Sequence, residues 1–225
     1  MSDAIWLLDT RRVTTRAVTH ASQQLGESSR RLLVSLTRAA IRRRFLISRA
    51  LMRAAAASWS RCDPRDIAFH ERPGQAPVIN GGGAPVFVSL SHTREWIACA
   101  LDATPVGLDI EHTERPRDVV AMSALFFAEA EHAWLLAQPD RAHAFYELWT
   151  GKEAMFKLQQ QCGDERHLLD THFHVDGGVL HATGPTRELH FRAPAPFLVG
   201  SVARAGDSPS RGALAAWIDA LPLMT

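Results

Sequence analysis

Two acidic side chains, Asp109 and Glu111, stand two residues apart in the segment VGLDIE. Residues i and i+2 of a β-strand point to the same face, so this spacing predicts two carboxylates side by side. Such carboxylates repel each other unless a cation or a proton lies between them. Paired oxygen ligands suit Mg²⁺, which keeps several waters and is completed by substrate phosphates. A solvated strand face is the alternative for this pair taken alone.

A third acidic residue, Glu153, lies in the segment WTGKEAMFKL. On a helix it would share one face with Trp149 at i−4 and Lys157 at i+4. Lys152 and Lys157 are the only lysines among 25 basic residues, and an ammonium is not interchangeable with a guanidinium. The segment therefore indicates lysine chemistry such as binding a phosphate, although a Glu–Lys surface pair is the simpler reading.

Three carboxylates and two ammoniums together would hold a metal ion and a pyrophosphate, as phosphoryl transfer requires. Ser91 and His92 in VSLSHT follow the same logic, because a histidine and a hydroxyl at a strand end can donate to a phosphate. A structural role is the alternative for both. Gly107, just before the acids, predicts a close backbone approach.

The elements that must position these residues follow from periodicity and from turn residues. We predict a helix over about 27–59, a loop over 62–85 and a helical segment over about 119–137. The helix that carries Glu153 is predicted over about 142–161, after a Pro139-Asp140 break. Predicted strands are 4–9, a hairpin of 85–92 and 96–102, PVGLDIEHTE, and three tail pieces, THFHVDG, ELHFRAP and FLVGSVAR; a short helix ends the chain.

This order predicts two similar α/β halves in an α+β chain, residues 1–103 and 104–225. The charge is divided between them: residues 1–65 carry 13 arginines against four acids, a net +9, so the remainder carries −8. An anion held between the halves and a set of solvated arginine faces both explain this division. No apolar run reaches the length of a membrane helix, and the N-terminus does not resemble a signal peptide. Three widely spaced cysteines give no disulfide framework, so we expect a cytoplasmic protein.

Four segments, FVSLSHT, VGLDIE, FFAEAE and WTGKEAMFKL, occur in the order and at the separations typical of one family. The chain resembles the surfactin-synthetase-activating (Sfp-type) 4′-phosphopantetheinyl transferases. The resemblance implies two α/β halves related by a pseudo-twofold axis, with coenzyme A between them. It also implies transfer of the phosphopantetheine arm to a serine of an apo acyl or peptidyl carrier protein, with release of adenosine 3′,5′-bisphosphate.

Matched residue by residue, the resemblance makes Asp109, Glu111 and Glu153 the ligands of Mg²⁺, with Mn²⁺ as a possible substitute. Lys152 and Lys157 are implied phosphate contacts. On the coenzyme A side it implies Ser91, His92 and Arg44, with Arg43 or Arg49 as substitutes if the register differs.

Catalysis would rest on Asp109, Glu153 and Lys157, with Glu153 as the base, directly or through a metal-bound water. One departure stands out: the family often has Gly-Lys-Pro before the serine-histidine strand, and this chain has Gly74-Gln75-Ala76-Pro77, where Arg72 could supply the charge.

Two other functions compete with this one. A metal-dependent phosphohydrolase or nucleotidyl transferase could use the same carboxylates without a carrier protein. A nucleic-acid-binding module could be built on the basic N-terminal half, but the arginines lie on a helix that must also pack, and surface aromatics are few. We therefore expect no nucleic-acid partner, no membrane partner and a monomer.

Overall fold

A computed structural model describes residues 4–72, 74–81, 86–114, 116–164, 167–176, 179–182, 188–192, 197–205 and 216–220. The chain divides into two compact units, Met1–Thr104 with Ala213–Thr225, and Pro105–Gly212. Each unit combines helices with a largely antiparallel sheet, so the predicted α+β class is confirmed. Within the described residues, no helix is both long and apolar enough to cross a membrane.

The elements of the first unit begin with β1 (Ala4–Asp9), α1 (Thr15–Gln23), α2 (Glu27–Ser35), α3 (Ala39–Ser60), β2 (Ala68–His70), β3 (Val78–Asn80), β4 (Phe87–Thr93) and β5 (Trp96–Asp102). The second unit follows with β6 (Val106–His112), α4 (Val119–Phe126), α5 (Glu129–Leu136), α6 (Arg141–Gln161), β7 (Phe173–Asp176), β8 (Val179–Ala182), β9 (Glu188–Arg192) and β10 (Leu198–Arg204). The last strand, β11 (Ala216–Asp219), returns to the first unit.

The first unit is built on a four-stranded sheet in the order β11-β1-β5-β4. β5 is antiparallel to both β1 and β4, and β4 and β5 form the predicted hairpin. The helix α3 covers this sheet because its apolar residues recur on one face; Ile47, Leu51, Met52 and Ala55 are all fully buried. The hairpin ends at His92 and Thr93, so it places the Ser91-His92 pair at the edge of the unit's core.

The arginines of this unit bind mostly to the unit itself. Arg42 Nη1 lies 2.9 Å from the carbonyl oxygen of Leu33 and 3.2 Å from that of Leu36, where α2 ends. Arg43 and Arg53 also donate to main-chain oxygens, and Arg49 pairs with a carboxylate. These bonds satisfy backbone groups that a helix end or loop would otherwise leave unpaired. Much of the positive charge of residues 1–65 therefore serves the fold.

The second unit packs α6 across a three-stranded antiparallel sheet in the order β6-β10-β9. Fully buried side chains of α6, among them Phe145, Leu148 and Leu158, form the core of this unit. The helix begins after Asp140, whose carboxylate accepts the main-chain N–H of His143 and so caps the helix at the predicted break. The helices α4 and α5 pack on α6, and β7 pairs with β8 beside them.

Four sequence predictions differ from the structure. The helical segment over 119–137 is two helices, α4 and α5, because Phe127 adopts an extended backbone. The single helix over 27–59 is two helices, because Leu36 adopts an extended backbone and Arg42 closes the end of α2. The loop over 62–85 contains the short β2–β3 pair. The terminal helix is wrong: β11 is a strand parallel to β1, and Ala220 N–H donates to the oxygen of Leu7 at 2.9 Å. Pairing the open edge of β1 outweighs the local helix preference of an alanine-rich segment.

Candidate functional site

The acids Asp109 and Glu111 lie on β6, on the face that α6 covers. Their neighbour Gly107 shows this, because a Cβ placed on it would lie 1.8 Å from the carbonyl oxygen of Ala154 on α6. Side chains at i, i+2 and i+4 of a strand share one face, so Gly107 and both acids face the helix. Asp109 is buried and Glu111 is half-buried. The close approach predicted at Gly107 is therefore an approach of the α6 main chain.

Glu153 precedes Ala154 on α6, so the contact at Gly107 brings it towards the acids of β6. Burial raises the pKa of the Glu153 carboxyl above its usual value. The negative charges of Asp109 and Glu111 raise this pKa further, whereas Lys157 lowers it. The three predicted acids therefore act on one another electrostatically, although they come from two different segments.

Lys157 stands one helical turn after Glu153 and reaches the same acids. Its Nζ donates to Asp109 Oδ1 at 2.7 Å and to the carbonyl oxygen of Leu108 at 3.0 Å. The side chain is 26% exposed, so its ammonium lies at the boundary between the protein and water. The alternative of a surface pair between Glu153 and Lys157 gives way to an ion pair between Lys157 and Asp109 of the strand.

Arg117, in the loop after β6, is a member of this cluster that the sequence did not identify. Its Nη2 lies 3.2 Å from Glu111 Oε1. Its guanidinium lies over the rings of Tyr146 and Trp149 on α6. An arginine six residues after an acid has no distinctive spacing, so the sequence carried no signal for this contact. Each acid of β6 consequently faces a cation, Asp109 facing Lys157 and Glu111 facing Arg117.

The donor set fits a hard divalent cation in its chemistry, because all three groups are carboxylates whose charges disfavour one another. In the part of the chain that the structure describes, no three histidine, cysteine or acidic side chains converge closely enough to enclose a metal ion. Asp109 and Glu111 are instead drawn to Lys157 and Arg117. The acids could hold a metal only with a change in side-chain contacts, above all in the ion pair between Lys157 and Asp109.

Lys152 does not join the cluster, although the sequence placed it there as a phosphate contact. It is 2% exposed, and its Nζ lies 2.8 and 3.1 Å from the two carboxylate oxygens of the fully buried Glu131 on α5. One residue of helix turns the side chain about 100° away from Glu153. Burial lowers the pKa of Lys152, and the pair with Glu131 opposes that change. Lys152 is thus the partner of Glu131 in a buried ion pair. This position does not support the role of an exposed phosphate ligand.

The remaining candidates, Arg44, Ser91 and His92, belong to the first unit. Ser91 is buried in β4, whereas the next side chain, His92, is exposed because strand neighbours face opposite ways. Arg44 is half-buried on α3 and has no ion pair or hydrogen bond to its side chain within the described residues. The proposed substitutes are engaged elsewhere, since Arg43 bonds to main-chain oxygens and Arg49 to Glu71.

The segment Gly74-Gln75-Ala76-Pro77, which stands where the family often has Gly-Lys-Pro, forms a turn. Gly74 has a φ of 71°, a conformation that favours glycine. Arg72 donates through Nε and Nη2 to the carbonyl oxygen of Ala76, at 2.9 and 2.7 Å, and so holds the turn closed. Its guanidinium is exposed but already committed to this oxygen. The idea that Arg72 replaces the missing lysine therefore requires that this bond be given up.

Comparison with known proteins identifies the second half of the chain. Residues 105–194, which include β6 and α6, match the sequence model of the 4′-phosphopantetheinyl transferase superfamily. The 4′-phosphopantetheinyl transferase Sfp of Bacillus subtilis (strain 168) is 32% identical over 52% of this chain and 51% of its own length. The 4′-phosphopantetheinyl transferase AcpT of Salmonella typhimurium is 40% identical over 51% of this chain and 62% of its own.

A holo-[acyl-carrier-protein] synthase of Thermotoga maritima superposes with a TM-score of 0.36 at 20% identity, over 45% of this chain and 62% of the other, which is too weak a likeness to argue from. The chain spans about half the length of the first curated relatives that it matches. Residues 105–194 therefore match the 4′-phosphopantetheinyl transferase superfamily, and over about half of its length the chain is similar to the Sfp-type enzymes.

Proposed function

We propose that the protein transfers the 4′-phosphopantetheine arm of coenzyme A to a serine of an apo acyl or peptidyl carrier protein. The observation that carries this proposal is the cluster of Asp109, Glu111, Glu153 and Lys157, which β6 and α6 bring together inside the segment that matches the superfamily. Adenosine 3′,5′-bisphosphate is the leaving product, and the carrier serine forms the new bond to phosphorus.

In this proposal Asp109, Glu111 and Glu153 hold a Mg²⁺ ion, for which Mn²⁺ can substitute. When bound, the ion supplies positive charge to the phosphate oxygens of coenzyme A. Lys157 contributes a second positive charge, and its partly exposed ammonium can turn from Asp109 towards a diphosphate oxygen. The chain thus offers a cation for the charge that develops on the leaving group.

Glu153 is the proposed proton acceptor for the carrier serine, either directly or through a water. An ordinary glutamate is a weak base near neutral pH, because its pKa lies about three units below that pH. Without a bound cation, burial and the neighbouring acids raise the pKa of the Glu153 carboxyl, whereas a cation on the same carboxylate opposes this rise. Arg44, Ser91 and His92 of the first unit are the proposed contacts for the remaining part of coenzyme A. Lys152 is left out of this set because of its buried pair with Glu131.

The alternative of a basic nucleic-acid-binding module is weakened by the contacts of the arginines. Arg42, Arg43 and Arg53 bond to main-chain oxygens of the same unit, and Arg49 bonds to Glu71. Nucleic-acid binding through phosphates needs such cations to face outward. We further propose a cytoplasmic monomer whose cysteines, Cys62, Cys99 and Cys162, are free thiols. Light scattering on the purified protein gives its molar mass and so tests whether it is a monomer.

The test of the transfer is an incubation of the protein with coenzyme A, Mg²⁺ and a purified apo carrier protein, followed by intact mass spectrometry of the carrier. The proposal predicts a gain of one phosphopantetheine arm, which a chelator prevents and which a serine-to-alanine carrier does not show. Cleavage of coenzyme A at the same rate without any carrier would instead establish the phosphohydrolase alternative.

A further inference from the structure

Arg117 connects three parts of the second unit at the acid cluster. Its Nη2 lies 3.2 Å from Glu111 Oε1, and the two side chains are only 11% and 15% exposed. The carbon of its guanidinium lies 5.6 Å from the ring centre of Tyr146 and 5.9 Å from that of Trp149. Guanidinium groups stack on aromatic faces in this way, whereas an ammonium is less suited to do so. The side chain is therefore fixed to the strand and to the helix at once.

The hydrogen bonds of Arg117 are incomplete, which separates it from the other buried arginines. Its Nη1 is buried and has no hydrogen-bond partner among the described residues. By contrast, Arg53 reaches three main-chain oxygens, and Arg49 reaches both carboxylate oxygens of Glu71. Buried donors are nearly always paired, and an unpaired one lowers stability. The unpaired Nη1 therefore reduces what this arginine contributes to the stability of the fold.

The contacts of Arg117 link the Glu111 carboxylate to α6. Nη2 holds one carboxylate oxygen, and the stacking ties the guanidinium to α6 at Trp149, one helical turn before Glu153. Carboxylates that bind metals are commonly held by a second hydrogen-bonding partner, which sets their direction. We propose that Arg117 is a positioning residue, which orients Glu111 for the divalent cation that this acid, Asp109 and Glu153 would share. This inference rests on the proposed function.

Removal of Arg117 changes the affinity for a divalent cation in opposite directions if Arg117 positions Glu111 and if it only neutralises its charge. If Arg117 only neutralised Glu111, its removal would leave more negative charge at the cluster and a divalent cation would bind more tightly. If Arg117 orients Glu111, its removal takes away one hydrogen bond that holds the carboxylate, and the cation binds more weakly. Loss of such a partner typically weakens metal binding or activity by about 10- to 100-fold.

The test is a titration of the protein with Mn²⁺ in the presence of coenzyme A, with free Mn²⁺ measured by electron paramagnetic resonance. Arg117→Gln is expected to weaken Mn²⁺ binding by about tenfold or more. Arg117→Lys keeps the charge without the planar fork and is expected to lie between Arg117→Gln and the wild type. Arg141→Gln is the matched control, because Arg141 is an exposed arginine of the same unit that donates to a main-chain oxygen.

Circular dichroism and thermal unfolding show which variants are folded. If Arg117→Gln does not fold, the Mn²⁺ affinity of Arg117→Lys is compared with that of the wild type instead. Mn²⁺ affinity in a folded Arg117 variant that equals or exceeds the wild-type affinity overturns the inference. If the wild type binds Mn²⁺ with coenzyme A and modifies a carrier protein, that result rejects the inference alone. If the wild type does neither, the proposed function fails, and the inference fails with it.

Discussion

Gly107 of β6 and Ala154 of α6 meet through their main chains. A Cβ on Gly107 would lie 1.8 Å from the carbonyl oxygen of Ala154 and 2.8 Å from its carbonyl carbon. No side chain fits in this space, so the helix lies closer to the strand than any other residue would allow. Asp109 follows Gly107 by two residues and Glu153 directly precedes Ala154, so this contact sets the separation of the acids.

We predict that Gly107→Ala lowers the stability of the protein and separates the acids. The added methyl group meets backbone atoms of α6, which cannot move aside as a flexible side chain could. Overpacking of this kind costs about 1–3 kcal/mol, and more where backbone must move. Urea unfolding measures the loss of stability. The Mn²⁺ titration tests whether the acids have moved apart, because the folded protein would then bind Mn²⁺ more weakly.

Gly26→Ala is the matched control for this substitution. Gly26 precedes α2 with an ordinary φ of −69°, and a Cβ there would have no atom within 4 Å. Its unfolding free energy is expected to fall by less than about 1 kcal/mol, because Gly26 is the N-cap of α2, where glycine is favoured over alanine. Equal losses in the two alanine variants would contradict the close packing at Gly107.

Removal of Lys152 is predicted to destabilise the fold by leaving Glu131 without its cation. Breaking a buried ion pair on one side costs about 3–5 kcal/mol, whereas replacing both partners by apolar residues is often neutral. Lys152→Met should therefore be strongly destabilised, and the Glu131→Leu/Lys152→Met double variant should recover much of the loss, although Glu131 also accepts N–H groups from Ala128 and Phe173. Chemical denaturation of both variants measures this. A stable Lys152→Met protein with weakened coenzyme A binding would restore the phosphate role.

Asp109→Ala is predicted to remain folded but to lose transferase activity. Loss of a group that stabilises transition-state charge costs about 10²–10³ in rate, and Lys157 also loses the carboxylate it pairs with. The rate of carrier modification, measured by intact mass with saturating coenzyme A, checks this. Wild-type rates in this variant would remove Asp109 from the mechanism.

Lys157→Arg is predicted to be impaired even though it keeps the positive charge. The Nζ atom donates to Asp109 and to the main-chain oxygen of Leu108 in a site that fits a compact ammonium. A planar guanidinium is larger and has fixed donor directions, so it cannot reproduce both contacts. Steady-state kinetics with coenzyme A as the varied substrate tests this, and an unchanged kcat/KM would show that only charge matters.

Much of this arrangement could be predicted from the sequence because its signals are local. The alternation in VGLDIE placed two acids on one strand face, and helical spacing placed Glu153 and Lys157 one turn apart. The strand β6 and the helix α6 lie close to the predicted bounds, and the close packing at Gly107 joins them. Contacts that depend on tertiary packing were missed, because nothing in the spacing of Arg117 or Glu131 links them to Glu111 or Lys152.

The pairing of β11 with β1 was missed for a related reason. Residues 216–219 form a strand because the main chain of β1 offers N–H and C=O groups to pair with. Those groups lie more than 200 residues earlier in the chain, so no local pattern indicates the pairing. The break between α2 and α3 also depends on a side chain, Arg42, that reaches back to cap the first helix. The apolar periodicity alone continues through this break.

The pH dependence of stability is predicted to follow Glu153. Its raised pKa means that the folded state disfavours the charged carboxylate. The contribution of Glu153 to stability is therefore complete below its usual pKa of 4.5 and is lost as the pH rises through the higher pKa of the folded state. Glu153→Gln should therefore be more stable than the wild type at neutral pH without metal, and the difference should vanish at acidic pH. Urea midpoints at the two pH values, with chelator present, measure it; a less stable glutamine variant at neutral pH would contradict the electrostatic account.

The most direct test of the central claim is a crystal of the protein grown with coenzyme A and Mn²⁺, with anomalous diffraction used to locate the ion. The account predicts one anomalous peak within bonding distance of carboxylate oxygens from Asp109, Glu111 and Glu153. It also predicts that the ammonium of Lys157 has moved from Asp109 to a phosphate oxygen. A peak elsewhere, with Asp109 still paired to Lys157, would contradict it.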